Sequence, residues 1–199
     1  MPSDGGLVVR WSEPPALAGA NRHVMRAAGR VASRAALAEA IAAWRAAFGE
    51  AEWQRAPVEH DAVGAPRFAC PGAPALALAH TAGLGGAAIA APGVAWAGID
   101  AEPVTAAGAS ALRALAQRSG EASLAWGDDH WPLRLWCAKE AVVKAERVPA
   151  DILGRSLRVE SVAAVALDGA QLVTVRSHLG RTFDVRTSVV GAHVRAETA

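Results

Sequence analysis

Apolar residues in the first quarter of the chain recur at helical spacing. Val24, Ala27, Ala28, Val31, Ala35, Ala38, Ile41, Ala42 and Phe48 follow one another mostly at intervals of three and four, with no proline between them. That period predicts an amphipathic helix over residues 22–48, with Asn21 as its N-cap. Arg22, Arg26, Arg30, Arg34 and Arg45 mark its polar side. Elsewhere the apolar runs are shorter and strand-like. Residues 7–11 predict a strand stopped by Pro14-Pro15, and residues 52–60 a strand running into a turn at 61–66. Residues 76–79 predict a third strand, followed by a turn at the glycines 83, 85 and 86. Residues 87–91 and 94–100 read as a hairpin around Pro92-Gly93.

Residues 104–110 read as a small-residue linker, and 111–118 and 121–126 as two short helical pieces. Asp128-Asp129-His130-Trp131 before Pro132 is a helix start, best read as a capping cluster, and the helix runs over 132–146. Residues 157–167, 171–177 and 182–190 predict strands separated by turns at Asp168-Gly169 and Leu179-Gly180. A helix followed by strands thus occurs twice, over 22–100 and 131–195, without residue-level internal identity. The fold class is α+β.

Composition narrows the picture. At 199 residues, 52% of them hydrophobic and 20% charged, the chain has globular composition and length enough to bury a core. A net charge of +1 provides no global basic field for nucleic acid. No uninterrupted apolar run is long enough to span a membrane, and the first six residues do not read as a signal peptide. Cys70 and Cys137 form neither a disulfide framework nor a metal-ligand spacing and read as buried or inert thiols. A cytoplasmic protein is expected.

The chemistry concentrates in residues 98–144. Gly98-Ile99-Asp100-Ala101-Glu102-Pro103 reads as a buried strand ending in two carboxylates, and side-chain alternation points Asp100 and Glu102 to one side. On the 132–146 helix, Trp136, Glu140 and Lys144 are spaced i, i+4, i+8 and share a face. If the helix packs against the strand end, three carboxylates and one ammonium converge. Hard oxygen donors suit Mg²⁺, which is typically held by a few carboxylates together with substrate phosphates. Lysine pairs with phosphate as a point charge. The residue types therefore point to a magnesium-dependent phosphoryl-type transfer. Taken singly, each half also has a purely structural reading, as turn and cap residues and as an ordinary i, i+4 helix pair.

Gly98-Ile99-Asp100-Ala101-Glu102, followed by Trp136-x-x-Lys139-Glu140-Ala141-x-x-Lys144, resembles the paired signature of 4′-phosphopantetheinyl transferases of the surfactin-synthetase (Sfp) type. The resemblance implies two similar α/β halves, 1–103 and 104–199, forming an intramolecular pseudodimer with coenzyme A between them. It implies transfer of phosphopantetheine from coenzyme A to a serine of an acyl, polyketide or peptidyl carrier protein. Mg²⁺ would be held by Asp100, Glu102 and Glu140, with Glu140 also the base and Lys144 on the phosphates. Ala28-Gly29-Arg30-Val31-Ala32-Ser33-Arg34 resembles the helix beside the coenzyme, which puts Arg30 and Arg34 there. His80-Thr81 resembles part of the Ser-His-Ser/Thr motif, with Ala79 in place of the first serine. Gly64-Ala65-Pro66-Arg67 stands where many members carry Gly-Lys-Pro, so the lysine is missing and Arg67 is the candidate replacement. The aromatic run before Glu121 and the glycine turn after Lys144 are also missing. Arg113, Arg118 and Arg134 are candidates for a carrier-protein surface. Nucleic-acid and membrane partners are not expected, and the chain reads as a monomer or as one domain of a synthase. Another magnesium phosphohydrolase or nuclease, or a catalytically degenerate coenzyme A-binding domain, shares the same residue types.

Overall fold

The computed structural model describes residues 6–14, 21–105, 120–125, 127–148 and 157–198. It forms two compact units, Met1–Gly98 and Ile99–Ala199, and both mix helix with antiparallel sheet. The helical piece expected at 111–118, with Arg113 and Arg118, and the linker positions 106–110 lie outside the described residues. Among the described residues no helix is long and apolar enough to cross a membrane.

The first unit contains β1 (Leu7–Ser12), α1 (Arg22–Phe48), a 3₁₀ turn (Glu52–Arg55), β2 (Val58–His60), β3 (Pro66–Phe68), β4 (Leu76–Thr81) and β5 (Leu84–Ala90). The three-stranded sheet has the order β1-β5-β4, and β2 pairs with β3 in a separate ribbon. α1 starts where expected, because Asn21 Oδ1 accepts the His23 and Val24 amides at 3.0 and 3.1 Å. Its buried face is not the expected one. Ala32, Ala36, Ala40 and Trp44 turn to the core, whereas Val24 and Val31 are 44% and 62% exposed. Backbone proximity explains the choice of small residues. A Cβ on Gly85 of β5 would lie 2.1 Å from the Ser33 amide nitrogen and 2.5 Å from the Ala32 carbonyl carbon, and one on Gly29 would lie 2.4 Å from the Thr81 carbonyl oxygen. The helix therefore lies directly on the β4–β5 hairpin, where larger side chains have no room.

Two sequence expectations in this unit give way. Glu52–Arg55 is a 3₁₀ turn, not strand, and it delivers Trp53 into the core at 4.9 Å edge-on to Trp44 and 4.6 Å from Phe68. The hairpin is β4–β5, turning at Ala82-Gly83, with Gly85 and Gly86 inside β5 and not in the turn. Residues 94–98 are not strand, and Ile99–Pro103 pairs elsewhere.

The second unit contains β6 (Ile99–Pro103), a 3₁₀ turn (Glu121–Ser123), α2 (Trp131–Glu146), β7 (Arg158–Val162), β8 (Gln171–Arg176), β9 (Thr182–Val190) and β10 (His193–Thr198). The sheet order is β6-β10-β9-β8-β7. β10 is absent from the sequence reading, yet it sits between β6 and β9 and ties the first strand of the unit to the rest. β6 pairs with β10 and so belongs to the second compact unit, which begins at Ile99. α2 covers the sheet with Leu133, Leu135, Ala138, Val142 and Ala145, which pack on Val173, Val175, Val185 and Val194. The two units share a topological rule: the first strand leads to the helix and pairs antiparallel with the last strand, β1 with β5 and β6 with β10.

Candidate active site

α2 buries every residue except Trp136, Glu140 and Lys144, which keep appreciable exposure. These are the three residues whose spacing predicts one face. Trp136 also packs partly against the unit's core. The opposite strand is β6, where Asp100 pairs with Ala196 and Glu102 with Val194. Both partners have buried side chains, so register puts Asp100 and Glu102 on the helix-covered face.

Lys144 Nζ donates to Asp100 Oδ1 at 2.7 Å. Asp100 Oδ2 is buried, and the Cys137 thiol hydrogen-bonds to the same carboxylate. The charges are crowded. Burial, with Asp100 and Glu102 nearby, raises the Glu140 carboxyl from 4.5 to about 7 despite the opposing pull of Lys144. Burial alone would lower the Lys144 ammonium, but the charges of Asp100 and Glu140 outweigh it and hold the group above its usual value. Cys137, fully buried one turn before Glu140, lies beside Asp100; burial and then the carboxylate charges push its thiol well above the usual range. The sequence reading of Cys137 as a buried or inert thiol agrees with its burial, though it gave the residue no place beside Asp100. Its i, i+3, i+7 spacing with Glu140 and Lys144 is the signal that it belongs to the same surroundings.

The other lysine of the helix, Lys139, faces the opposite way. It is fully buried, and its Nζ lies 2.7 Å from Glu121 Oε2, while Glu121 Oε1 accepts the Val159 amide at 3.0 Å. Arg134, a candidate for a docking patch, is 3% exposed and is held by Asp128 at 2.9 Å, Thr187 and the Gly169 carbonyl. It is a structural residue. The expected glycine turn after Lys144 is replaced by Arg147 in the left-handed region, φ 54°, where its amide caps the Lys144 carbonyl.

The remaining candidates lie in the first unit. Arg30 and Arg34 are exposed one helical turn apart on α1. His80 is exposed and Thr81 half-buried at the end of β4, and the Thr81 carbonyl abuts α1 at Gly29, the residue before Arg30. Arg67 on β3 is engaged with Glu59 on β2 at 2.6 Å, so its charge is already partnered in the ribbon.

The carboxylates of Asp100 and Glu140 both act on the Lys144 ammonium, and the Cys137 thiol lies against Asp100. Carboxylate oxygens are the donor type that a hard divalent cation takes. Among the described residues no three His, Cys, Asp or Glu side chains stand already arranged as metal ligands. One oxygen of Asp100 is taken by Lys144. No protein-family model and no curated protein matches the chain.

Proposed function

We propose that the chain is a 4′-phosphopantetheinyl transferase with two like halves forming a pseudodimer. The observation that carries this reading is the meeting of Asp100, Glu140 and Lys144, with Lys144 Nζ 2.7 Å from Asp100 Oδ1 and Glu102 on the same face of β6. The repeated strand-pairing rule of the two units supports the pseudodimer.

In the proposed reaction a carrier-protein serine oxygen attacks the β-phosphorus of coenzyme A. The new bond is serine O–P; the bond from that phosphorus to the bridging oxygen breaks, and 3′,5′-ADP leaves. Asp100, Glu102 and Glu140 would hold Mg²⁺, which supplies charge neutralisation on the pyrophosphate when bound. Lys144 pairs with phosphate oxygens as charge builds on them. Glu140 takes the serine proton. Arg30 and Arg34, with His80 and Thr81, bind the nucleotide end. Arg67 is a weaker candidate, because Glu59 already holds it.

The test is intact mass spectrometry of an apo carrier protein incubated with this chain, coenzyme A and Mg²⁺. A mass gain of one phosphopantetheine, abolished by EDTA and reduced at least ~10²-fold in rate by Glu140→Ala, is expected. Acyl, polyketide and peptidyl carriers are tried in turn. Release of 3′,5′-ADP without any carrier would instead mark a hydrolase. No gain on any carrier, with coenzyme A still bound, would leave a binding domain.

A further inference from the structure

We propose that Glu146 is a positioning residue of the candidate active site. It ties the last turn of α2 to the turn between β8 and β9 and so directs Lys144 onto Asp100. The consequence for coenzyme A rests on the function proposed above.

Lys144 stands in the last turn of α2, where the backbone closes weakly. The Arg147 amide reaches the Lys144 carbonyl, and the Val148 amide the Val143 carbonyl, each at 3.3 Å, which is long for an N–H···O bond. Helix ends held by backbone alone fray. Glu146 supplies a side-chain anchor at this place. Its side chain is wholly buried; Oε1 accepts the Ser177 hydroxyl at 2.7 Å and lies 3.7 Å from Arg181 Nη1. His178 Nδ1 lies 3.4 Å from Oε2. The receiving turn is itself closed, because the Ser177 amide donates to the Arg181 carbonyl at 2.7 Å and Ser177 Oγ accepts the Arg181 amide at 3.2 Å. One hydroxyl thus joins the turn to the helix.

Side chains two residues apart leave a helix about 200° apart. Lys144 therefore points away from the side that Glu146 anchors and toward β6, where its Nζ meets Asp100 Oδ1 at 2.7 Å. The sheet order β6-β10-β9-β8-β7 puts the two attachments on opposite sides of β10. Held on both sides, the last turn resists rotation about the helix axis, and the long stem of Lys144 has less space to search. Pairing an ammonium with a phosphate as charge develops depends on such placement. The proposed reaction uses no group of the Glu146 cluster, so any effect of Glu146 on it passes through Lys144.

The test is a double-mutant cycle on the full chain, read by urea denaturation of wild type, Glu146→Ala, Lys144→Met and the pair. Glu146→Gln, which keeps an acceptor for Ser177, is carried through the same cycle as the milder variant that folds if the alanine one does not. Positioning predicts that Lys144→Met lowers the midpoint less in the Glu146→Ala background than in wild type, because the lysine there no longer sits on Asp100. A merely structural anchor gives additive losses. Isothermal titration with coenzyme A supplies the second readout. Glu146→Ala is expected to bind about tenfold more weakly than wild type, and to add nothing to the loss caused by Lys144→Met. Additive losses of midpoint in the folded variants overturn the positioning role, and the transferase reading stands if wild type binds coenzyme A. Non-additive losses with no coenzyme A binding by wild type keep the positioning of Lys144 and overturn the transferase reading.

Discussion

Lys139 and Lys144 are the same residue type on one helix, and their surroundings separate them. Lys139 is wholly buried against Glu121, which also accepts a backbone amide from β7. Lys144 is partly exposed along its side chain and its ammonium holds Asp100. Removing one partner of a buried pair leaves the other charged and desolvated. Lys139→Met is therefore expected to cost ~3–5 kcal/mol of stability, read by urea denaturation. The paired change Lys139→Met with Glu121→Leu should recover much of that loss, since no buried charge then remains. Mn²⁺ affinity of the folded Lys139→Met protein should match wild type. A single variant as stable as wild type would show that the pair is not what joins α2 to the Glu121 turn. The same contrast removes Arg134 from any docking surface, because its guanidinium is consumed inside the unit.

At the scale of elements, the seating of α1 on the β4–β5 hairpin decides where Arg30 and Arg34 stand beside His80 and Thr81. The seat depends on Gly85 and Gly29, where added carbons would strike backbone atoms that cannot rotate aside. Gly85→Ala should lift α1 from the hairpin and cost about 3 kcal/mol or more in urea denaturation. Its coenzyme A affinity should fall as well, since the arginines would move relative to the end of β4. An unchanged midpoint would mean that the contact relaxes without cost. Most of α1 was legible in the sequence: its span, its cap and its arginine side. Its buried face was not. Hydrophobicity selects the valines, but clearance between backbones selects alanine and glycine, and that clearance depends on a hairpin far along the chain.

At the scale of the whole molecule, the acidic cluster links folding stability to pH and, on the proposed function, to metal. Glu140 titrates near 7 in the folded, metal-free chain and near 4.5 when unfolded. The folded state therefore binds more protons between those values, and stability is lost as pH rises through that window. Glu197, also raised by burial, acts in the same sense. Lys144, raised above its usual 10.5, acts only at the alkaline end. Metal-free protein should melt at a lower temperature at pH 8 than at pH 5. Mg²⁺ should restore more at pH 8, where the carboxylates are free to bind it, and EDTA should remove the gain. Glu140→Gln should flatten the pH dependence in differential scanning calorimetry. A Mg²⁺ effect independent of pH, or none, would place the cation elsewhere.

The sequence by itself determined what short-range geometry dictates. The helical period set α1 and α2, alternation marked most of β7 to β9, and i, i+4, i+8 spacing put Trp136, Glu140 and Lys144 on one face. Only the tertiary structure decided which strand β6 would join, and so where the second unit begins. It also decided that Lys139 is buried while Lys144 meets Asp100, and that Cys137 lies beside that aspartate. These outcomes depend on pairing and burial between residues distant in sequence. A local pattern fixes the direction of a side chain along its own element, and the fold alone selects what that side chain meets.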